Sequence, residues 1–441
     1  MERSPTSARF LYTTFQYLGV FPLQNPKPDW RSGLHRVYMW LQASLCAGLV
    51  VTHFLNTVLR AVHYWPEFLQ RLLEDVILDA IFLIMVGYRM KMDEFNKILK
   101  FTEDSFSPAY PHILLQTRRK VQLKFCMFGV LVGCVFVGFL LELWAPLDEA
   151  ELAMRRRLYQ TARPERRLVF DIWIPGVDET ESWTYEILII LQLYCGFIAY
   201  LTSVIAIMVI PTLVIYSQGQ QRILCKHIQL LGTPHYDSDG NRIFYSNFEK
   251  NDYVIVLYAM ERMRLTRRGW SQVYRKKQTE YEQQYFRQIV RFHQKLLDFQ
   301  EQIVKLTDIL APSIVLMNLI TFSLCFHQLL TNPRHLSPPR LFKYLSEFTS
   351  IVVQYYTFCN DGDTVDDFHY HLRNALWSSG WTASSTATRR GIVIILTRLQ
   401  RTTNPRYCHG LVVISKEAFI DLVRLTFKVV NFLRLRGPRG L

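Results

Sequence analysis

The sequence lacks the residue patterns that the common enzyme classes need. It has no HExxH zinc motif, no GxSxG nucleophile turn and no glycine-rich phosphate loop. His369 and His371 stand in a polar connector, where solvated side chains are a simpler explanation than metal ligation. The acidic run 237–241 resembles part of a calcium loop, but its glycine is misplaced and position 12 is not Glu. We therefore predict no enzyme activity, no metal site and no cofactor.

Sites for extracellular modification are missing as well. The sequence has no Asn-x-Ser/Thr site, and none of its eight cysteines falls in a segment that we predict to be extracellular. No internal repeat is present, which argues against a secondary transporter. The first ten residues contain no apolar stretch, so we expect no cleaved signal peptide and a first span that acts as its own anchor.

Long hydrophobic runs, by contrast, are abundant. Half of the 441 residues are hydrophobic, and they gather in runs that exceed the core helices of soluble proteins. A helix needs about 20 apolar residues to cross a membrane. Four strong runs and three weaker ones predict an all-α membrane protein with seven spanning helices. The predicted spans are 37–59, 72–88, 125–144, 187–216, 303–330, 344–358 and 411–435.

The basic residues indicate how these spans are oriented. The chain has a formal net charge of +14. If the amino terminus is cytoplasmic, the inner segments hold 33 Lys and Arg residues and the outer segments hold 13. Because basic residues concentrate on the cytoplasmic side, we predict a cytoplasmic amino terminus and an extracellular carboxyl terminus. Beside seven spans, the basic loops indicate topology rather than binding of nucleic acid.

The spans divide the chain into seven predicted parts. The amphipathic stretch 10–23 predicts an interfacial helix, and apolar spacing over 276–302 predicts a helix that continues below the membrane. The polar, turn-rich segment 233–252 is expected to be mobile. The parts are a cytoplasmic segment with the interfacial helix (1–36), spans one to four with an extracellular loop at 145–184 (37–216), a cytoplasmic loop and helical extension forming an anchor domain (217–302), spans five and six (303–358), a cytoplasmic anchor helix and connector (359–406), a pore-lining seventh helix (407–435) and an extracellular tail (436–441).

The outer halves of the middle spans combine aromatic residues with a few polar ones. This combination is typical of a pocket for a small apolar ligand, although most such aromatics only pack or face lipid. The candidate pocket residues are Val76, Asp79, Ala80 and Leu83 in span two; Phe136, Phe139, Leu140 and Trp144 in span three; Trp173 in the outer loop; Tyr185, Leu188 and Gln192 in span four; and Phe348, Val352 and Tyr355 in span six.

The last span carries a stripe of polar residues at steps of four and three. At 100° per residue these side chains share one face, which is typical of a pore-lining helix, of a salt-bridge seam within a bundle or of a surface helix. Basic side chains repel cations, so Arg424 and Lys428 suit a cation pore only if they pair with acids or if partner subunits supply most of the wall. The stripe consists of Glu417, Asp421, Arg424, Lys428 and Asn431.

Short motifs in a fixed order run through nearly the whole chain. They are YLGVFP at 17–22, IWIPGVD at 172–178, and two groups of residues at 293–299 and 323–325. The carboxyl-terminal set comprises Tyr356, Phe358, Cys359, Gly362, Trp377, Arg389, Arg390, Gln400, Gly410, Ser415 and Phe419. Together and in this order, these motifs resemble those of the insect odorant-receptor family.

The resemblance implies a seven-helix subunit that assembles with a shared coreceptor into a heterotetrameric, ligand-gated, nonselective cation channel. It also implies an anchor formed by the cytoplasmic ends of helices four to seven, and a volatile ligand held among helices two, three, four and six. The seventh helix would line the pore, with its gate at Asn431, Phe432 and Leu435. The chain departs from the family at Lys428 and Val429, where members often have a small hydroxyl residue and an aromatic one.

We therefore expect an odorant-binding subunit of such a channel, in the plasma membrane of olfactory neuron dendrites. Its expected partners are the coreceptor, a small volatile organic ligand, monovalent and divalent cations, and membrane lipid. The coreceptor itself is a rival, but it carries a longer second inner loop and a less charged last helix. A gustatory receptor is another rival, against which the Trp173–Pro175 element argues. A G-protein-coupled receptor would need an outer amino terminus and an Asn-Pro-x-x-Tyr motif, and the sequence favours neither.

Overall fold

The structure, a computed structural model, describes residues 7–23, 30–161, 163–256, 267–308, 310–331, 337–400, 406–407 and 412–436. Within these ranges the chain forms twelve α-helices, two short 3₁₀ turns (Ala61–His63 and Trp381–Ala383) and two small sheets. The helices are α1 (Ser7–Tyr17), α2 (Trp30–Leu59), α3 (Trp65–Met90), α4 (Met92–Asp104), α5 (Pro111–Trp144), α6 (Glu149–Tyr159), α7 (Ser182–Gln229), α8 (Arg267–Thr307), α9 (Leu310–Thr331), α10 (Pro338–Trp377), α11 (Thr386–Arg398) and α12 (Lys416–Arg436).

Four helical segments in the described residues are long and apolar enough to cross a membrane. They are Trp30–His63, Pro111–Trp144, Ser182–Gln229 and Leu310–Leu330. The first three contain the predicted runs 37–59, 125–144 and 187–216, and the fourth contains most of the run 303–330. The three weaker runs lie in α3, α10 and α12. In α3 and α10 several charged side chains are buried in ion pairs, whereas in α12 the charges are exposed. The helices therefore suit a membrane protein, as the sequence predicts.

Helix α7 lies at the centre of the bundle. Every residue from Met208 to Ser217 is buried, because α5, α8 and α10 all pack against this helix. A helix that is hydrophobic on all sides is stable only when protein or lipid surrounds it. The uniformly apolar sequence of this segment thus explains its central position.

Helix α1 packs into the bundle through its apolar face. The Phe15 side chain is fully buried, and its ring lies 5.2 Å from Tyr88 and 6.2 Å from Phe95. The helix ends where Gly19 adopts a left-handed φ of 72° and Val20 N–H donates to the Phe15 carbonyl, a common helix termination. The amphipathic stretch predicted from the sequence is therefore helical, and other helices of the chain cover its apolar side.

A second apolar core joins the end of α7 to α8, the end of α10 and α11. The apolar positions that predicted a helical extension are all buried along α8, which confirms that pattern. The positions are Tyr285, Ile289, Phe292, Leu296, Phe299 and Ile303.

The segment 233–252 differs from the turn-rich, mobile segment that was expected. It forms a three-stranded antiparallel sheet with the residues that follow it: β1 (His235–Tyr236), β2 (Arg242–Asn247) and β3 (Asp252–Ile255). The sheet is held on α8 by the fully buried Phe248 side chain and by Gln288, whose side chain bonds the backbone of the segment. A smaller pair, β4 (Arg406–Tyr407) and β5 (Val412–Val413), precedes α12.

The predicted fifth span, 303–330, is not one continuous helix. Helix α8 ends at Thr307, and α9 begins at Leu310. Pro312 weakens a continuous helix at this place, because proline has no N–H to donate and its ring clashes with the carbonyl four residues earlier. In the first turn of α9 the same residue is tolerated.

Candidate functional site

A cavity of about 140 Å³ lies inside the helix bundle. Its wall is formed by α3, α5, α7, α9 and α10, so it includes the four helices expected around a ligand and adds the fifth span. The wall is largely aliphatic, with Ile77, Ile81, Val132 and Ile207 among its residues. The cavity is partly open, since these wall residues are only partly buried. An apolar cavity with few polar groups is typical of a site for a small organic ligand.

Most polar side chains of the wall are satisfied by their own helices. The Asn318 amide donates to the Ile314 carbonyl at 2.8 Å, and the Thr321 hydroxyl donates to the Met317 carbonyl at 2.7 Å. Two buried polar atoms of the cavity wall, Thr202 Oγ1 and Glu347 Oε1, have no hydrogen-bond partner among the described residues. These two atoms can form hydrogen bonds with a molecule that occupies the cavity.

Of the predicted pocket residues, Ala80 lines this cavity. On α10, Phe348 stacks on Phe322 instead, with ring centres 5.0 Å apart, and Tyr355 contacts Phe419 of α12. Val352 packs into the same cluster as Tyr355.

Several other predicted residues pack against the outer connector between α6 and α7. The Gln192 amide donates to the Phe170 carbonyl at 2.8 Å, and its oxygen accepts from the Phe170 N–H at 3.0 Å. The Phe139 ring also lies on Phe170. Trp173 and Tyr185 each lie against an arginine, Arg60 and Arg166 respectively.

The remaining predicted pocket residues do not line the cavity either. Phe136 stacks on Tyr200, Val76 is buried, and Asp79, Leu140 and Leu188 are partly buried. Leu83 and Trp144 are exposed. The predicted residues other than Ala80 thus lie outside this cavity, whose wall also includes α9. Sequence reasoning missed Glu347, although it is the one Asp, Glu, Lys, Arg or His in the run 344–358 and such residues in spans are often functional.

A network of buried charges lies one helical turn before Glu347 on α10. The Lys343 ammonium is held by Glu74 of α3 at 2.6 Å and by Glu142 of α5 at 2.9 Å. Glu74 also binds Arg71 at 2.7 Å, and Arg71 reaches Asp171 in the outer connector at 2.6 Å. The network therefore ties three helices to the connector that covers them.

Asp171 stays ionised within this network. Burial alone would raise the pKa of its carboxyl, but Arg155 and Arg71 outweigh burial and lower that pKa to about 2. Its partners stand 16 and 100 residues away in the sequence, so no local pattern indicates the contact. Ion pairs of this kind are visible only once the fold is known.

The polar stripe of α12 faces away from the bundle of this chain. Its five residues are exposed, and Arg424 pairs with Asp421 at 3.2 Å while both remain about seven-tenths exposed. The opposite face packs on α9 and α10 through the buried Leu422, Thr426 and Val430. The predicted gate residues Asn431, Phe432 and Leu435 are exposed too. Within one chain, the stripe is therefore not an interhelical salt-bridge seam.

The fold is that of a helical membrane protein, and an apolar cavity lies within its helix bundle. A family model described as 7tm Odorant receptor matches residues 69–427, and the chain belongs to this family. The family consists of receptors rather than enzymes, as the sequence predicts. No curated protein sequence matches significantly.

Solved structures share the fold, and two of them belong to one insect receptor. One is the insect olfactory receptor OR5 from Machilis hrabei, with 12% identity, a TM-score of 0.69 and coverage of 96% of each chain. The other is the same receptor in complex with eugenol, with 12% identity, a TM-score of 0.68 and coverage of 98% of each chain. The resemblance to insect odorant receptors that the sequence motifs carry is thus confirmed.

Proposed function

We propose that this chain is the odorant-binding subunit of a heteromeric, odorant-gated, nonselective cation channel. The coreceptor of the family completes the channel, which passes monovalent and divalent cations across the plasma membrane of olfactory neuron dendrites. The parts of the chain keep the roles expected from the sequence, with an anchor on the cytoplasmic side and α12 at the pore.

The observation that carries this proposal is the route from the cavity to α12. Helix α9 lines the cavity with Ile314 and Met317, and farther along it Phe326 contacts Phe427 of α12 at 5.2 Å. Helix α10 lines the cavity with Gln354, and the next residue, Tyr355, contacts Phe419 of α12. A molecule in the cavity thus contacts α9 and α10, the two helices against which α12 packs.

Gating then needs only a difference in affinity. A ligand shifts the channel toward the open state if it binds the cavity of that state more tightly than the cavity of the closed state. Any change in the separation of α9 and α10 moves the apolar face of α12. Eugenol, a small phenol, occupies the related receptor of known structure, which supports a ligand of similar size here.

A tuning subunit fits the chain better than the coreceptor does. The exposed stripe of α12 includes Lys428, for which the described residues supply no ion pair, whereas Arg424 is paired with Asp421. Basic residues in a ring repel cations, so a pore built from identical copies of this helix would conduct cations poorly. A partner with a less charged helix would supply the rest of the wall.

The ligand site is tested by filling the cavity. We expect Ala80→Phe to abolish odour-evoked current or weaken potency at least about tenfold, because a phenyl ring would take up much of the free volume. Val86→Phe is the matched control, since Val86 is exposed on the same helix and outside the cavity wall. Patch-clamp recording of the full chain, with and without the coreceptor, measures both. Equal potency of Ala80→Phe and the unmodified chain would refute this site.

A further inference from the structure

Glu347 gives the cavity a chemical preference that the apolar wall alone would not have. Its side chain is 1% exposed, and Oε1 has no hydrogen-bond partner among the described residues. The other oxygen contacts the Cys325 thiol at 3.9 Å, which is a weak interaction at most. A buried carboxyl that lacks partners is costly, so a molecule that satisfies it gains affinity.

The nearest basic side chain on α10 is already paired with other carboxylates. Lys343 stands one turn before Glu347 on α10, but its ammonium is bound by Glu74 and Glu142 and lies 4.0 Å from the centre of the Phe139 ring. Glu74 is further bound by Arg71. Arg340 likewise binds Glu142 at 2.9 Å. The described bases near Glu347 are therefore paired with other carboxylates, and none of them forms an ion pair with Glu347, which leaves its carboxyl without a cationic partner.

The chemistry of the cavity limits what can supply that charge. A metal ion would need several oxygen, nitrogen or sulfur ligands, and among the described residues no group of three or more His, Cys, Asp or Glu side chains is arranged to hold one. A bare water molecule would leave the aliphatic wall unfilled. An organic amine offers both an apolar body for the wall and a polar head for Glu347.

We infer that the cavity selects small apolar amines, with the nitrogen paired to Glu347. This inference rests on the proposed ligand site and names its substrate class. An ammonium group donates hydrogen bonds to an ionised carboxylate. A neutral amine takes the proton from a protonated carboxyl and gives the same ion pair, so either starting state reaches one complex. Charge-assisted hydrogen bonds are about twice as strong as neutral ones, which favours an amine over an alcohol of the same shape.

A ligand series of nearly constant shape tests the inference directly. Cyclohexylamine, cyclohexanol and methylcyclohexane differ in one group on the same ring. The purified full chain is titrated with each, and binding is measured as the rise in its thermal-unfolding midpoint. We expect cyclohexylamine to act at concentrations about tenfold lower than cyclohexanol. Equal action of the amine and the alcohol on the unmodified chain would overturn the inference without any variant.

Two variants assign the preference to one residue. Glu347→Gln keeps the shape of the side chain and removes its charge, and it should reduce the preference for the amine to about threefold or less. Asp367→Asn is the matched control, because Asp367 is an exposed carboxylate on the same helix and outside the cavity wall. An amine preference that survives Glu347→Gln would place the nitrogen elsewhere and overturn the inference.

Recording from cells that also express the coreceptor separates this inference from the proposed function. Amine binding that depends on Glu347 but evokes no current would support the cavity chemistry and contradict the channel role. Currents evoked equally by all three ring compounds would support the channel role and contradict the amine selectivity.

Discussion

His293 is a buried histidine that the sequence motifs of the family include and that the cavity does not use. It lies on α8, 8% exposed, with its ring 5.8 Å from that of Phe368. Burial, together with the nearby His369 and Arg398, lowers its pKa from 6.5 to about 4. The folded protein therefore keeps this side chain neutral under conditions in which an unfolded chain would bind a proton.

The stability of the protein should consequently fall in weak acid. Below pH 6.5 the imidazole binds a proton in the unfolded chain but not in the folded protein, which lowers the free energy of unfolding. This free energy continues to fall until about pH 4, where the folded protein binds the proton as well. Between pH 7.5 and 5.0 this one group contributes about 2 kcal/mol. Thermal unfolding of the purified protein at both pH values measures the effect. His293→Leu should remove part of the pH dependence, and an unchanged pH dependence would contradict this role.

At the same scale, Ala80 and Glu347 show what the sequence could and could not tell about the ligand site. Helical spacing places residues on a common face, but it does not say which face meets the cavity or at what depth. Ala80 is the predicted residue that lines the cavity. Phe139 and Gln192 instead contact Phe170, because the outer connector folds onto them, and the helical periodicity does not indicate this contact.

Among the elements, the long apolar helices were predictable and the breaks between helices were less so. The uniform runs of α2, α5 and α7 exceed the length of a membrane span, so their existence follows from composition. The break between α8 and α9 lies beside Pro312, whose effect a hydropathy count does not include. The β1–β3 sheet depends on docking against α8, which is a tertiary effect.

Helix α12 allows a prediction at the scale of the element. Because its polar stripe is exposed in the single chain, reversing one charge there should alter permeation without unfolding the bundle. Lys428→Glu removes a base that repels cations, and we expect a higher relative permeability to divalent cations. The reversal potential in calcium-containing and calcium-free solutions measures this change.

Lys276→Glu is the control for that measurement, since Lys276 is an exposed lysine on α8. An unchanged reversal potential in Lys428→Glu channels, together with normal surface expression, would show that the stripe lies away from the ion path. The channel would then have to be lined by the partner subunits or by another helix.

For the whole molecule, the exposed surface has two parts, one apolar and one charged, that need different surroundings. Large apolar side chains such as Trp40, Leu123 and Trp144 are exposed, as is expected where lipid covers the bundle. The charged face of α12 cannot be covered in this way, because ionised groups are costly in hydrocarbon. We expect this face to lie against water, as it would in the proposed channel, where α12 of several subunits surrounds the ion path.

The proposed channel has a cytoplasmic amino terminus, which is the orientation of the spans that the basic residues predict. The amino terminus leads into α1, which is packed into the bundle near α4, and Arg9 of α1 lies 3.8 Å from Glu103 at the end of α4. We expect a tag at the amino terminus of the full chain to be stained only in permeabilised cells, and a tag at the carboxyl terminus to be stained in intact cells. Both follow from the excess of Lys and Arg in the inner segments. Staining of the amino-terminal tag on intact cells would mean that every span, including α12, crosses the membrane in the opposite direction. That result would favour a G-protein-coupled receptor.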